Sequence, residues 1–262
     1  MTGVLQALAS WFRPRPHRLS DPRWRSVLDT VVLAGSLQPA QQQRLRMLVE
    51  RFLAEKAITP VAGLELDPPM EHAIAALCCL PLLEVGPRGL AGWSQVIVYP
   101  GSFRARRQHV DEQTGVVVEG DEDLAGEAWE AGPIVLSWED IATDLHQPTP
   151  GFNVAIHEMA HKLDLLDGGL DGTPPLPAAL RASWARDFQQ AYDALLADLD
   201  AGREPVIDEY AASAPEEFFA VASEYHFTAP DHLARVMPRV AGHLERVYGP
   251  PPRLTAPVES AR

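Results

Sequence analysis

The chain has 262 residues, of which 46% are hydrophobic and 22% charged, enough apolar material for a buried core and too little polarity for long disorder. Its formal charge of −14 repels phosphate backbones and anionic lipid headgroups, and no Lys/Arg stripe offsets it, which argues against nucleic acid as a ligand.

The opening "MTGVLQALASWFRPRPHRLS" places its arginines after a short apolar run, the reverse of a secretory signal. No export signal is read there, and residues 1–20 are expected to form a flexible segment. Residues 21–83 follow a helical pattern: "QPAQQQRLRMLVERFLAEKAI" sets Leu45, Leu48, Val49, Phe52 and Leu53 at helical spacing, with Pro39 near its start and Pro60 beyond its end. A helical N-terminal layer is expected. The run "AIAALCCLPLL" is too short to span a bilayer and is cut by Pro81. Its Cys78 and Cys79 are the only two cysteines, and adjacent cysteines rarely meet disulfide geometry, so a reducing cytoplasm fits best.

From Ser94 onward the signal turns to strands, with "SQVIVYPG", "TGVVVEG" and "GPIVLSW" as short β-branched runs between Gly and Pro. After residue 176 come "PAALRASWARDFQQAYDALLADL", "APEEFFAVASEYHF" and "HLARVMPRVAGHLERVY", three helical patterns separated by turns. Helices, then strands, then helices describe an α+β fold with a small mixed sheet. A single domain is expected over 21–248, with a flexible tail over 249–262.

Between strands and helices lies "NVAIHEMAHKLDLLDGG". On a helix His157 and His161 lie on one face a turn apart and can offer nitrogens to one ion, while Glu158 can reach a water bound to it. The competing account is a core helix whose histidines are satisfied by hydrogen bonds. A helix capped by Gly168, with Ile156, Met159, Ala160 and Leu163 as packing surface and a strand before it, favours the metal account.

Two histidines and a water leave tetrahedral zinc one ligand short. No third histidine follows at metzincin spacing, so a later carboxylate is required, and Glu216, Glu217 and Glu224 are available. Ser213 and Glu216 have capping-box spacing, with Pro215 in the first turn, which commits Glu216 to its helix end and leaves Glu217 for the ion. Asp164 can orient a ligand imidazole or be a solvated surface residue, and Glu224 is a similar candidate. His226, His232 and His243 have no partner at ligand spacing and read as surface or structural. The strand "GPIVLSW" is a candidate edge for pairing with an extended peptide.

These segments, "HEMAHKLD", "YAASAPEEFFAVASEY", "GPIVLSW" and "AGEAWEAG", resemble the Mlc titration factor A family of bacterial zinc peptidases. The resemblance implies a zincin-like metallopeptidase core of the lethal-factor type, built on the HExxH helix. It implies one Zn2+ per chain on His157, His161 and Glu217, the last lying seven residues after an active-site tyrosine, here Tyr210. Glu158 then becomes the catalytic base and Tyr210 a transition-state hydrogen-bond donor. Aminopeptidase-like hydrolysis of a peptide or protein substrate is implied, together with binding of a transcriptional repressor of the Mlc type, as for the founding protein. The alternative is a regulatory protein-binding module with a non-catalytic zinc site, which needs neither a base nor an oxyanion donor.

Overall fold

A computed structural model describes residues 17–101 and 132–254. The expected strand "TGVVVEG", residues 1–16, the tail from 255 and the tryptophan segment as far as residue 131 lie outside the described residues.

The N-terminal layer consists of helices α1 (Asp21–Thr30), α2 (Val32–Gly35), α3 (Pro39–Glu55) and α4 (Pro68–Cys79). Prolines stand in the first turns of α1, α3 and α4, where a missing N–H costs nothing and the fixed φ suits the helix. The Gln41 side chain accepts from the Gln38 backbone N–H (3.1 Å) at the start of α3, and Asp67 accepts from Met70 N–H (2.9 Å) at the start of α4. Helix α4 is buried without interruption from His72 to Cys79, so it runs through the interior instead of lying on it. Both cysteines are free, and burial pushes both thiols up.

The helical expectation for residues 21–83 fails at one place. Residues Ala57–Pro60 form strand β1, parallel to β2 (Gln95–Tyr99). Four residues are too few to show alternation, and Ile58 and Thr59 are stiff, β-branched residues that suit an extended chain. Lys56, extended at φ −111°, donates from Nζ to the Leu90 and Trp93 carbonyls and sits 3.9 Å over the Trp93 ring, which ties the strand entry to the next segment. Strand β3 (Ile134–Ser137) pairs parallel to β2, with Val96 opposite Ile134. The sheet order is β1-β2-β3. Every described pair is therefore parallel, where a mixed sheet was expected. Val96, Val98, Ile134 and Leu136 are buried by the alternation of strand side chains.

Ser137 then caps α5 (Trp138–Asp144), accepting from Asp140 N–H at 3.2 Å. Helix α6 (Val154–Asp164) follows and runs through a 3-10 turn to Gly168, left-handed at φ 90°, the cap that the sequence pointed to. The C-terminal layer is α7 (Ala178–Asp200), a 3-10 turn at Glu209–Ala212, α8 (Pro215–Thr228), α9 (Pro230–Val236) and α10 (Pro238–Tyr248). "HLARVMPRVAGHLERVY" is thus two helices, broken at Met237 (φ −135°, ψ 60°) because the residue before a proline is pushed out of the helical region. One cluster of buried side chains joins the N-terminal layer, the sheet, α6 and α8. Among the described residues no helix is long and apolar enough to cross a membrane.

Candidate metal centre

Helix α6 owes its position to its own sequence. Asn153 accepts from Ile156 N–H (3.1 Å) and fixes the first turn, while Ala155, Ile156, Met159, Ala160 and Leu163 are almost wholly buried. The remaining face carries His157 and His161 toward α8, which packs along α6. Glu217, the third residue of α8, meets them there: Oε2 is 3.0 Å from His157 Nε2, and Oε1 is 3.4 Å from His161 Nε2. The two Nε2 atoms are 3.1 Å apart, and one ligand atom from each residue lies within 4.8 Å of the others.

Glu224, two turns beyond Glu217, sets the protonation of this cluster. It is completely buried; Oε1 lies 2.8 Å from His157 Nδ1, and Oε2 accepts the Asn153 backbone N–H. A carboxylate that already takes one N–H assigns the Nδ1 proton of His157 to itself, leaving the Nε2 lone pair to face the other two residues. In that tautomer Glu217 Oε2, 3.0 Å from His157 Nε2, receives no hydrogen from it, and among the described residues it is a buried oxygen with no hydrogen-bond partner. Three lone-pair donors aimed at one point, with a buried oxygen unsatisfied among them, fit a cation. Zinc bonded to N and O at about 2.0–2.2 Å in a tetrahedron holds its ligands roughly 3.3 Å apart, close to the separations here.

Glu158 follows His157 and is half-buried. It bears electrostatically on Cys78 of α4 and on Lys162. Lys162 is buried, its pKa lowered by desolvation against the opposing pull of Glu158, and its Nζ donates to the Gly132 carbonyl (2.8 Å) just before β3. Tyr210 stands in the 3-10 turn, whose start is fixed by Asp208 accepting Tyr210 N–H at 2.9 Å. Its ring centroid is 6.0 Å from that of His157. All five expected site residues therefore lie on α6, α8 and this turn.

Two expectations change. Ser213 and Glu216 do not form a capping box: α8 begins one residue later, with Ala214 as N-cap and no side-chain cap, and Ser213 donates to the Tyr210 carbonyl instead. Asp164 is neither solvated nor on a ligand imidazole. It is fully buried and accepts Gly172 N–H (2.7 Å) and Thr173 N–H (2.8 Å); desolvation, only partly offset by these bonds, raises it to about 6. Of the two orienting candidates, only Glu224 reaches a histidine. His226, His232 and His243 stay away from the site: His226 is buried beside Phe227 and Tyr248, His232 contacts the Val206 carbonyl (2.6 Å), and His243 contacts Asp187 (2.9 Å). The sequence reading passed over Asn153 and Lys162. For Asn153 a signal existed, a helix-capping residue type directly before an apolar periodic run.

Comparison with known proteins places these residues in a family. Residues 9–249 match the family described as glucose-regulated metallo-peptidase M90. The chain is similar to Mlc titration factor A of Serratia proteamaculans (strain 568), 37% identical over 241 residues that cover 91% of this chain and 90% of that protein. It is also similar to Mlc titration factor A of Yersinia pestis (strain Pestoides F) and of Yersinia pseudotuberculosis serotype O:3 (strain YPIII), each 38% identical over 241 residues, 91% of this chain and 88% of the relative.

Proposed function

The chain belongs to the glucose-regulated metallo-peptidase M90 family, and we propose that it is a zinc-dependent, aminopeptidase-like peptidase with a zincin-like core. The observation that carries this reading is the convergence of His157 Nε2, His161 Nε2 and Glu217 on one point, with Glu217 Oε2 buried and unsatisfied.

His157, His161 and Glu217 would hold the zinc, which would supply there a water of lowered pKa and a Lewis acid for the scissile carbonyl. Glu158, directly after His157, would take the proton of the attacking water and deliver it to the leaving amine. Tyr210, beside His157, donates to the oxygen on which negative charge grows, a bond that strengthens as the transition state is approached. Glu224 keeps His157 in the tautomer whose Nε2 lone pair faces His161 and Glu217. Strand β3, at one edge of the described sheet, offers backbone groups to an extended peptide, and Lys162 holds the approach to that strand.

The name of the relatives favours a second role. They are called Mlc titration factor A, and by that likeness we extend to this chain the binding of a transcriptional repressor of the Mlc type, in the cytoplasm. A regulatory module with a non-catalytic metal site has no use for Glu158. The deciding experiment is metal analysis coupled to hydrolysis of aminoacyl and blocked peptide substrates. About one zinc per chain and activity lost to a chelator are expected; full activity in a metal-free preparation sinks the proposal.

A further inference from the structure

We infer that Asp164 and Gly172 form a clamp that sets the position of Glu217 relative to the two histidines, which makes them positioning residues of the metal site. The inference rests on the reading of Glu217 as a ligand.

The His helix and the Glu helix approach each other with a loop wedged between the end of one and the start of the other. Asp164 is the last residue of α6, one turn beyond His161, and it is fully buried. Its two oxygens accept Gly172 N–H at 2.7 Å and Thr173 N–H at 2.8 Å. On the other side of the same peptide, the Gly172 carbonyl accepts from Trp184 Nε1 at 3.2 Å. Gly172 is therefore gripped from α6 and from α7 at once.

Its third neighbour is the first turn of α8. A Cβ at position 172 would stand 2.5 Å from the Pro215 carbonyl oxygen, 3.0 Å from its carbon and 3.4 Å from Glu216 N, all backbone atoms that cannot swing aside. With φ at +80° the position is also strained for any L side chain. Glu217 is the next residue along that turn. The distance from His161 to Glu217 is thus fixed through a short chain of contacts: Asp164 carboxylate, Gly172 backbone, Pro215 backbone. A solvated loop aspartate would accept water; this one has no exposure and spends both oxygens on the peptide that abuts the ligand helix.

The test is a double-mutant cycle on metal affinity. Zn2+ affinity by competition with a chromophoric chelator, and the visible spectrum of the Co2+-loaded protein, are measured for the parent, Asp164→Asn, Gly172→Ala, Glu217→Ala and the pairs with Glu217→Ala. Asp164→Asn keeps the shape and one acceptor, and it carries the test should Gly172→Ala fold poorly. In the parent background each clamp variant is expected to weaken Zn2+ by about 10- to 100-fold, as residues behind metal ligands do, and to change the Co2+ bands. In the Glu217→Ala background neither should weaken Zn2+ further. Equal weakening in both backgrounds overturns the inference, because the variants then act on the fold at large. Unchanged affinity and an unchanged Co2+ spectrum in Asp164→Asn overturn it as well, while leaving the metal site standing. A parent that binds no Zn2+ removes the site and the clamp together.

Discussion

Among the described residues the same buried device occurs twice. At the candidate metal centre His157 meets Glu224 at 2.8 Å; in the C-terminal layer His243 meets Asp187 at 2.9 Å. In both pairs the histidine is buried and one ring nitrogen is taken by a carboxylate. The difference lies on the other side of each ring. His157 turns its second nitrogen toward His161 Nε2 and Glu217. His243 is walled by the rings of Trp184 and Phe188, with centroids at 5.6 and 6.2 Å, and its Nδ1 has no hydrogen-bond partner among the described residues. Asp187 is balanced by Arg186 at 2.9 Å and Arg239 at 3.7 Å, so that pair needs no ion to settle its charge. What separates the candidate metal ligand from the structural pair is what faces the second ring nitrogen, not the carboxylate–imidazole pair itself.

The harshest way to break the comparison is to remove what faces His157. Glu217→Ala should lose nearly all zinc on dialysis and all hydrolysis, whereas Glu216→Ala should keep both. Zinc retained by Glu217→Ala and lost by Glu216→Ala would falsify the assignment. Next in size, Glu158→Gln should retain zinc and lower turnover by about 10²- to 10⁴-fold, a drop that metal analysis and peptide hydrolysis on one preparation can separate from metal loss.

Exchanging the carboxylates sharpens the contrast more gently. Glu224→Gln should weaken zinc by about 10- to 100-fold, while Asp187→Asn should leave zinc affinity unchanged and lower the thermal midpoint. Equal effects of the two substitutions on zinc would erase the distinction between the pairs.

The smallest expected effect is the part of the pH dependence that the C-terminal layer supplies, read as parent minus variant because Asp164, raised to about 6, acts in the opposite sense between about 6 and 3.8. Burial lowers His226 from 6.5 to about 4, so the unfolded chain binds this proton more tightly and stability falls as pH drops from 6.5 toward 4. Asp187 is lowered from 3.8 to about 2 by its hydrogen bonds with Arg186 and then His243; its contribution is complete above 3.8 and lost as pH falls through about 2. Denaturant midpoints across these windows should lose the first slope in His226→Phe and the second in Asp187→Asn.

Much of the site was legible because its first half is local. His157, Glu158 and His161 sit within five residues, and helical geometry alone places them on adjacent faces. Glu217 is singled out by a capping box that does not form and by the spacing from Tyr210 that the family resemblance implies; what brings it to the histidines is the packing of α8 on α6, with Glu224 on the same face two turns later. Sequence spacing cannot say whether such a carboxylate meets water or an imidazole 67 positions away. Asp164 reads from sequence as either a support for a ligand imidazole or a surface residue for the same reason, since its partners are backbone N–H groups in a loop with no helical period. In the fold, long helices such as α7 announced themselves, while β1 hid in four residues and α9 and α10 merged until Pro238 separated them.

The distance in sequence between His157 and Glu224 also matters while the protein is being made. The histidines leave the ribosome first, and at roughly 5–20 residues per second the chain needs some seconds more before Glu217 and Glu224 follow. A nascent chain halted before α8 carries a pair of histidines without the third ligand or the carboxylate that aligns the first. On the proposed ligand set, metal capture belongs to the end of synthesis, and an ion taken up earlier would be held by a site still open to exchange.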